Sequence, residues 1–188
     1  MRFPITGRTD GNYRDATLDS TTWAQTIIDY EHHEEHSGSA YFAVYSATAG
    51  NTDAIEVRIQ TPNTEKWAHM QFTLDAGLAA TAQLWVDTTK TDVVGNRITP
   101  MNRNMNSSNT SGLTICHTPA GSQAGNAGLL QYIGAATANG RFITGGGTGS
   151  RGEFILEQNT AYLLKMTSRA NGNALSILMD WYEHTNKS

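Results

Sequence analysis

The stretch Ala54-Ile55-Glu56-Val57-Arg58-Ile59-Gln60 alternates apolar with polar or charged side chains at a period of two. Successive side chains of a β-strand point to opposite faces of a sheet, so this pattern predicts a half-buried strand. We expect Ile55, Val57 and Ile59 in the core, with the charged residues between them facing water. The run Thr61-Pro62-Asn63 ends the strand, since proline cannot donate to a sheet ladder.

Strand signals continue on both sides of this segment. Residues 39–46 are rich in strand formers, and the turn cluster Ala49-Gly50-Asn51-Thr52-Asp53 follows them, which predicts a hairpin with residues 54–60. Near the C-terminus, Asn171-Gly172 predicts a tight turn between the last two strands. The remaining strand candidates are residues 67–74, 83–87, 112–117, 129–133, 153–157, 162–168 and 175–183.

The fold class follows from the number of strands. Nine or ten short strands separated by turn clusters predict an all-β fold, a two-sheet β-sandwich that is jelly-roll-like. No segment predicts a convincing amphipathic helix, and residues 78–84 are the best candidate for a single helical turn. Long irregular stretches are expected at 88–111 and 134–152, and loops of that length are usually functional.

The first 26 residues differ from the rest of the chain. Their apolar residues follow neither a strand nor a helix period, which predicts an extended N-terminal arm over 1–26 and a sandwich domain over 27–188. Such an arm buries too little apolar surface to offset its ordering entropy alone. We therefore expect it to be mobile until it docks, with Phe3, Tyr13 and Trp23 as anchors.

Composition excludes several classes of protein. The 188 residues (20.4 kDa) suit one domain, and only 16% are charged, with 25 Thr, 14 Asn and 18 Gly providing the uncharged bulk. A basic nucleic-acid binder is disfavoured, because 13 Lys and Arg face 17 Asp and Glu. No apolar run reaches 18 residues, so no membrane-spanning segment is predicted. The single Cys116 lies in an apolar run and is expected to be a buried free thiol.

One cluster of residues suggests metal chemistry. His32-His33-Glu34-Glu35-His36 matches the H-x-x-E-H pattern of inverted zinc metallopeptidases, which needs both outer histidines on one helix face and a third ligand. Because Ser37-Gly38-Ser39 and a strand follow at once, we expect a hydrogen-bonded polar strand, with a structural or adventitious metal as the alternative. No catalytic residue, metal or cofactor is predicted, and the chain is not expected to be an enzyme.

The triplet Tyr30-Glu31-His32 recurs near the C-terminus as Tyr182-Glu183-His184. The flanking residues do not align, so the echo is not evidence of an internal repeat. One hypothesis is that the first and last strands lie side by side and share a patch of histidine and carboxylate groups.

Several runs resemble small structural proteins encoded by tailed bacteriophages, over about residues 27–188. They are residues 30–38 (YEHHEEHSG), 61–70 (TPNTEKWAHM), 102–111 (NRNMNSSNTS) and 181–187 (WYEHTNK). The resemblance implies a role in the virion and not an activity.

A virion role narrows the functional hypotheses. A Thr/Asn-rich β-sandwich with an arm and long loops suits a capsid decoration, or cement, protein that binds the outer head surface as a homotrimer. The expected partner is the major capsid protein, without direct contact with nucleic acid or membrane. Arg97 and Arg103, in a long loop, join Phe3, Tyr13 and Trp23 as candidate partner-binding residues. The alternatives are a tail, neck or head-fibre component, or a receptor- or glycan-binding module.

Overall fold

A computed structural model describes residues 30–123, 129–143 and 153–185, with the backbone alone described for 30–31 and 129–143. One helix, α1 (Tyr30–Ser37), precedes ten strands. The strands are β1 (Ala40–Ala49), β2 (Ala54–Gln60), β3 (Lys66–Val86), β4 (Arg97–Ile98), β5 (Met101–Asn102), β6 (Thr114–His117), β7 (Leu129–Ile143), β8 (Phe154–Leu156), β9 (Ala161–Ser168) and β10 (Asn173–Thr185).

All ten strands belong to one antiparallel sheet that curls into a half-barrel. The order is β4-β6-β2-β9-β3-β10-β1-β5, and β7 and β8 pair with the other edge of β3. The all-β prediction is confirmed. The two-sheet, jelly-roll-like sandwich is not, because the 21-residue β3 keeps both halves of the molecule in one sheet.

At residues 49–53 and 169–172 the chain passes from one strand to the next without reversing its direction. Both β9 and β10 run antiparallel to β3 along the same edge, β9 beside residues 80–86 and β10 beside residues 66–76. They therefore run in the same direction, and the turn at Asn171-Gly172 shifts the register without reversing the chain. In the same way β1 pairs with β10, and β2 pairs with β9. The predicted hairpin of β1 with β2 is therefore wrong, whereas the predicted tight turn at Asn171-Gly172 is present, with Gly172 at a φ of +67°.

A buried asparagine completes the corner in β3. The side chain of Asn173 is fully buried; its Oδ1 accepts the backbone N–H of Leu78 at 2.7 Å, and its Nδ2 donates to the carbonyl of Ala79 at 3.0 Å. The backbone N–H of Arg169 reaches the same carbonyl at 2.8 Å. Since a buried backbone group without a partner is costly, Asn173 supplies the hydrogen bonds that the interrupted ladder cannot.

The core follows the period of two along the strands. Ile55, Val57 and Ile59 are 5%, 0% and 0% exposed, which confirms that these side chains of β2 face the core. Residues 78–84 are part of β3, so the prediction of a helical turn there is wrong. Cys116 is a buried free thiol as predicted, and burial raises its pKa.

The segment 30–37 is the main departure in local structure, because it forms α1 where a polar strand was expected. Among the described residues, no helix is both long enough and apolar enough to cross a membrane. The stretch 88–111 is mostly irregular, as predicted, whereas β7 continues through residues 134–143, where a loop was expected. The predicted arm, with Phe3, Tyr13 and Trp23, lies outside the described residues.

Candidate functional site at the motif end of the sheet

Four sequence runs that contain histidine, asparagine and tryptophan motifs meet at one end of the sheet, here called the motif end. It comprises residues 30–38, 61–70, 102–111 and 181–185. Antiparallel pairing sets the start of β1 and the start of β3 on either side of the end of β10, with Ala40 opposite Tyr182 and Lys66 opposite Thr185. The loop that follows β5 then runs back over α1. Segments up to 150 positions apart in sequence therefore form one surface.

The C-terminus of α1 is fixed by a Schellman motif. The N–H of Ser39 donates to the carbonyl of Glu34 at 2.9 Å, and the N–H of Gly38 donates to that of Glu35 at 3.1 Å. Gly38 has a φ of +73°, and an added Cβ would lie 2.2 Å from the Oγ of Ser107. Glycine is required there by both conformation and space.

Asparagine side chains satisfy the remaining carbonyl groups at this helix end. Asn104 Nδ2 donates to the carbonyl of His36 at 3.1 Å, and Asn102 Nδ2 donates to that of Gly38 at 2.9 Å. Asn109 Nδ2 reaches the carbonyl of Gly38 at 3.3 Å. The last carbonyls of a helix have no partner within the helix, so these amides explain why a helix without an apolar stripe is stable here.

A buried carboxylate holds the far end of the same loop. Glu183 is 4% exposed and accepts hydrogen bonds from Ser111 Oγ at 2.5 Å, from the N–H of Gly112 at 3.1 Å and from Trp181 Nε1 at 3.0 Å. Charge-assisted bonds of this kind are stronger than neutral ones. Burial, reinforced by this carboxylate, also raises the pKa of Tyr41.

A chain of imidazole and carboxylate groups joins β8 to β3 and β10. His69 Nδ1 lies 3.3 Å from Glu153 Oε1, and its Nε2 lies 2.7 Å from His184 Nε2. The hydroxyl of Tyr182 donates to Glu153 Oε2 at 3.1 Å, and its ring stacks on His69 with a centroid distance of 4.7 Å. The side chains of His69 and Glu153 are only 12% and 16% exposed.

The contacts of His184 orient its ring. Its Nδ1 faces the carbonyl of Thr185 at 2.9 Å and therefore donates a hydrogen, because a carbonyl oxygen only accepts. The contact between the two Nε2 atoms is then a hydrogen bond from one imidazole to the other. The Tyr182 hydroxyl also lies 3.1 Å from His69 Nδ1, so the four side chains form one connected network.

Histidine and glutamate side chains of this kind occur in general acid–base sites, but their arrangement here is better suited to attaching β8 to the sheet. Both ring nitrogens of His69 lie within hydrogen-bond distance of protein groups, and so do both of His184. A general base must instead present a lone pair to its substrate. The clear effect of these hydrogen bonds is to connect the short strand β8 to β3 and β10. That the protein is not an enzyme and takes no cofactor stays a prediction.

The two candidate partner-binding arginines are each paired with an aspartate. Arg103 binds Asp180 and lies over the ring of Phe42, 5.5 Å from its centroid. Arg97 binds Asp92 through Nε at 2.7 Å and through the guanidinium NH2 group at 2.5 Å, which lowers the pKa of Asp92. Both arginines stay partly exposed, with the side chain of Arg103 40% and that of Arg97 50% accessible.

Two concave features flank these arginines. Arg103, Asp180, Glu153 and His69 help to line a cavity of about 20 Å³, the size of a single water molecule. Arg97 lines a surface groove of about 300 Å³ together with residues 98–100, 110–111 and 113–115. Arg97 and Arg103 thus line different concave features of the surface.

Sequence reasoning identified some of this site and missed the rest. The strands β1 and β10 pair, but the first triplet of the Tyr-Glu-His echo lies in α1 and not in a strand, so the hypothesis of two paired strands carrying the triplets is wrong. The described partners of Tyr182 and His184, however, are His69 and Glu153, which no local pattern connects. Sequence reasoning also missed the caps provided by Asn102, Asn104 and Asn109. These asparagines lie 64 to 71 positions after the carbonyl groups that they cap, so no local pattern connects them to α1.

In the helix, His32 and His36 are one turn apart, with their Nε2 atoms 3.1 Å from each other. Among the described residues, no group of three His, Cys, Asp or Glu side chains is arranged to hold a metal ion. The peptidase pattern therefore lacks a third protein ligand in the part of the chain that the structure describes.

Comparison of the chain with protein-family models, with curated proteins and with solved structures finds no match.

Proposed function

We propose that this protein is a structural component of a tailed-phage virion, a decoration protein that binds the outer surface of the head through its motif end. The observation that carries the proposal is the convergence of the phage-like sequence runs on one surface. Residues 30–38, 61–70, 102–111 and 181–185 belong to separate strands, a helix and a loop, yet they lie together. Their position on one surface supports a common binding role for the four runs.

The motif end is suited to binding because its loop is held before a partner arrives. Asn102, Asn104 and Asn109 fix the loop to α1, and Glu183 fixes its far end to β10. A surface ordered in advance loses little conformational entropy on binding. Small interfaces of this kind are sufficient for a protein present in many copies, particularly where an arm ties neighbouring subunits together.

Arg103, on this surface, and Arg97, on the neighbouring strand β4, are the side chains that we expect to contact the partner. Arginine is enriched at the energetic centres of interfaces, where its planar group binds carboxylates and stacks on aromatic rings. We propose the major capsid protein as partner, a homotrimer as the assembly and Phe3, Tyr13 and Trp23 as anchors of the arm. Three-fold symmetry would match local three-fold positions of a capsid lattice. No contact with nucleic acid or membrane is part of the proposal.

The test is decoration of heads that lack the protein. Purified chain is mixed with such heads, and the bound fraction is measured by sedimentation. Replacing Arg103 with Ala should weaken binding by about tenfold or more. The matched control is Arg169→Ala, which removes an exposed arginine at the sheet corner. Arg103→Lys separates charge from the planar guanidinium, and thermal unfolding of each variant excludes a folding defect.

Particle position decides between this proposal and its alternatives. Labelled protein found in many copies over the head supports decoration. Labelled protein found only at the tail, the neck or a single vertex would replace decoration with a tail, neck or head-fibre role. Binding to host cells or glycans but not to heads would favour the receptor-binding module.

A further inference from the structure

We propose that His32 and His36 of α1 form a two-histidine chelate for a divalent transition metal, whose remaining coordination positions are taken by water. Their Nε2 atoms are 3.1 Å apart and the ring planes are nearly perpendicular, at 84°. Two Zn–N bonds of about 2.0–2.1 Å at a tetrahedral angle place their nitrogens roughly 3.3 Å apart. The distance between the two nitrogens is therefore within a few tenths of an ångström of the span that one bound ion requires.

The fold holds this pair in place. His36 is in the last turn of α1, where the carbonyl of His36 accepts the amide of Asn104 and the Schellman motif fixes the next residues. His32 lies one turn earlier on the same face, as histidines four residues apart in a helix do. Both side chains are exposed, so a hydrated ion reaches them without opening the protein.

A carboxylate lies near His32. Glu35 Oε2 is 3.9 Å from Nδ1 of His32, slightly beyond hydrogen-bond distance. Around metal-bound histidines, an outer carboxylate commonly accepts from the ring nitrogen that does not bind the metal, and Glu35 lies close to that position. The negative charge of Glu35 also attracts a cation.

The other close histidine pair of the motif end is a poorer chelate. The Nε2 atoms of His69 and His184 are 2.7 Å apart, shorter than the span that two metal bonds require. His69 is also largely buried, and its other nitrogen faces Glu153. The proposal therefore assigns the ion to α1, and His184→Ala provides a control that tests this assignment.

Imidazole ligands suit zinc, nickel and copper, and two nitrogens should bind Cu²⁺ more tightly than Ni²⁺ or Zn²⁺. The site is independent of the proposed virion role, because it requires only the described residues of α1. Water at the open positions makes the ion exchangeable, and it makes the site removable by chelators.

The experiment is a calorimetric titration of the full chain, without a histidine tag, with Ni²⁺ and with Zn²⁺. We expect one saturable ion per chain, removed by EDTA. His32→Ala and His36→Ala should each weaken binding by about tenfold or more. His33→Ala removes a histidine from the same helix outside the pair and should change affinity by less than about twofold, as should His184→Ala.

Circular dichroism of each variant checks that α1 and the sheet remain folded. Absence of saturable binding to the wild-type chain would overturn the proposal. So would binding that persists when His32 and His36 are both replaced, or binding that His33→Ala or His184→Ala reduces as strongly as loss of either member of the pair.

Discussion

Asn173 Oδ1 accepts the backbone N–H of Leu78 at 2.7 Å, at the point where β3 crosses from one half of the curled sheet to the other. The asparagine is fully buried, and its Nδ2 donates to the neighbouring carbonyl of Ala79. One side chain thereby replaces two ladder hydrogen bonds at the corner. The curvature of the sheet depends on a residue that no β-propensity scale favours.

Replacing Asn173 with Ala should destabilise the protein by about 2–4 kcal/mol, because the N–H of Leu78 loses its acceptor within the fold. Urea unfolding measures the loss. The control is Asn171→Ala, whose side chain accepts the N–H of Asn51 at 2.9 Å in an exposed turn. That variant should lose less than about 1 kcal/mol. Equal losses in the two variants would contradict a special role for Asn173.

Glu183→Ala should release the loop at the motif end. It leaves Trp181 Nε1 and the N–H of Gly112 without their acceptor, which costs about 2–4 kcal/mol in stability. Hydrogen exchange should show faster exchange at residues 111–113 than the global loss of stability accounts for. Exchange that rises uniformly along the whole chain would argue against local anchoring.

Tyr182→Phe tests the chain of groups that ties β8 to the sheet. Loss of the hydroxyl that donates to Glu153 should cost about 1 kcal/mol and should expose residues 154–156 to faster hydrogen exchange. The matched control is Tyr45→Phe, since the Tyr45 hydroxyl meets Thr118 Oγ1 at 3.3 Å at an exposed position. If that control loosens β8 as much, the attachment runs through other contacts.

The thiol of Cys116 should react slowly in the folded protein. Burial raises its pKa, and thiolate is the reactive form, so less of it is present at any given pH than in the unfolded chain. Alkylation by iodoacetamide at pH 8 should be at least about tenfold slower in native protein than in urea. Comparable rates in the two conditions would show that the thiol is accessible in the native state.

Local sequence patterns predicted the positions of strands better than they predicted how successive strands are arranged. The alternation over Ala54–Gln60 predicted β2 and its buried face correctly, because a period of two is a property of the strand alone. The turn cluster at 49–53 predicted a hairpin, yet the strands on either side of it pair with β10 and β9 and not with each other. Whether a turn pairs its flanking strands depends on which strands lie beside them, and β9 and β10 lie more than 100 positions later in the sequence.

The helix α1 shows a second limit of sequence reasoning. Residues 30–37 have no apolar stripe, so periodicity gives no reason for a helix. The structure stabilises α1 through Gly38 and through asparagine side chains that lie about 65–70 positions later in the chain. The pairing of His69 with Glu153 is likewise a product of topology.

Truncation tests the role proposed for the arm. The described hydrophobic core consists of residues between 41 and 181, so removal of residues 1–23 should leave cooperative unfolding intact. The truncated protein should bind heads more weakly, because the anchors Phe3, Tyr13 and Trp23 are lost. Full binding by the truncated chain would assign attachment to the motif end alone.

The proposed contact between the motif end and the phage head is tested by an electron cryomicroscopy reconstruction of heads decorated with the wild-type chain. We expect density for many copies on the outer surface, with residues 30–38 and 102–111 facing the capsid and Arg103 at the contact. Density for the protein only at the tail or neck, or a head contact made through the opposite end of the sheet, would contradict it.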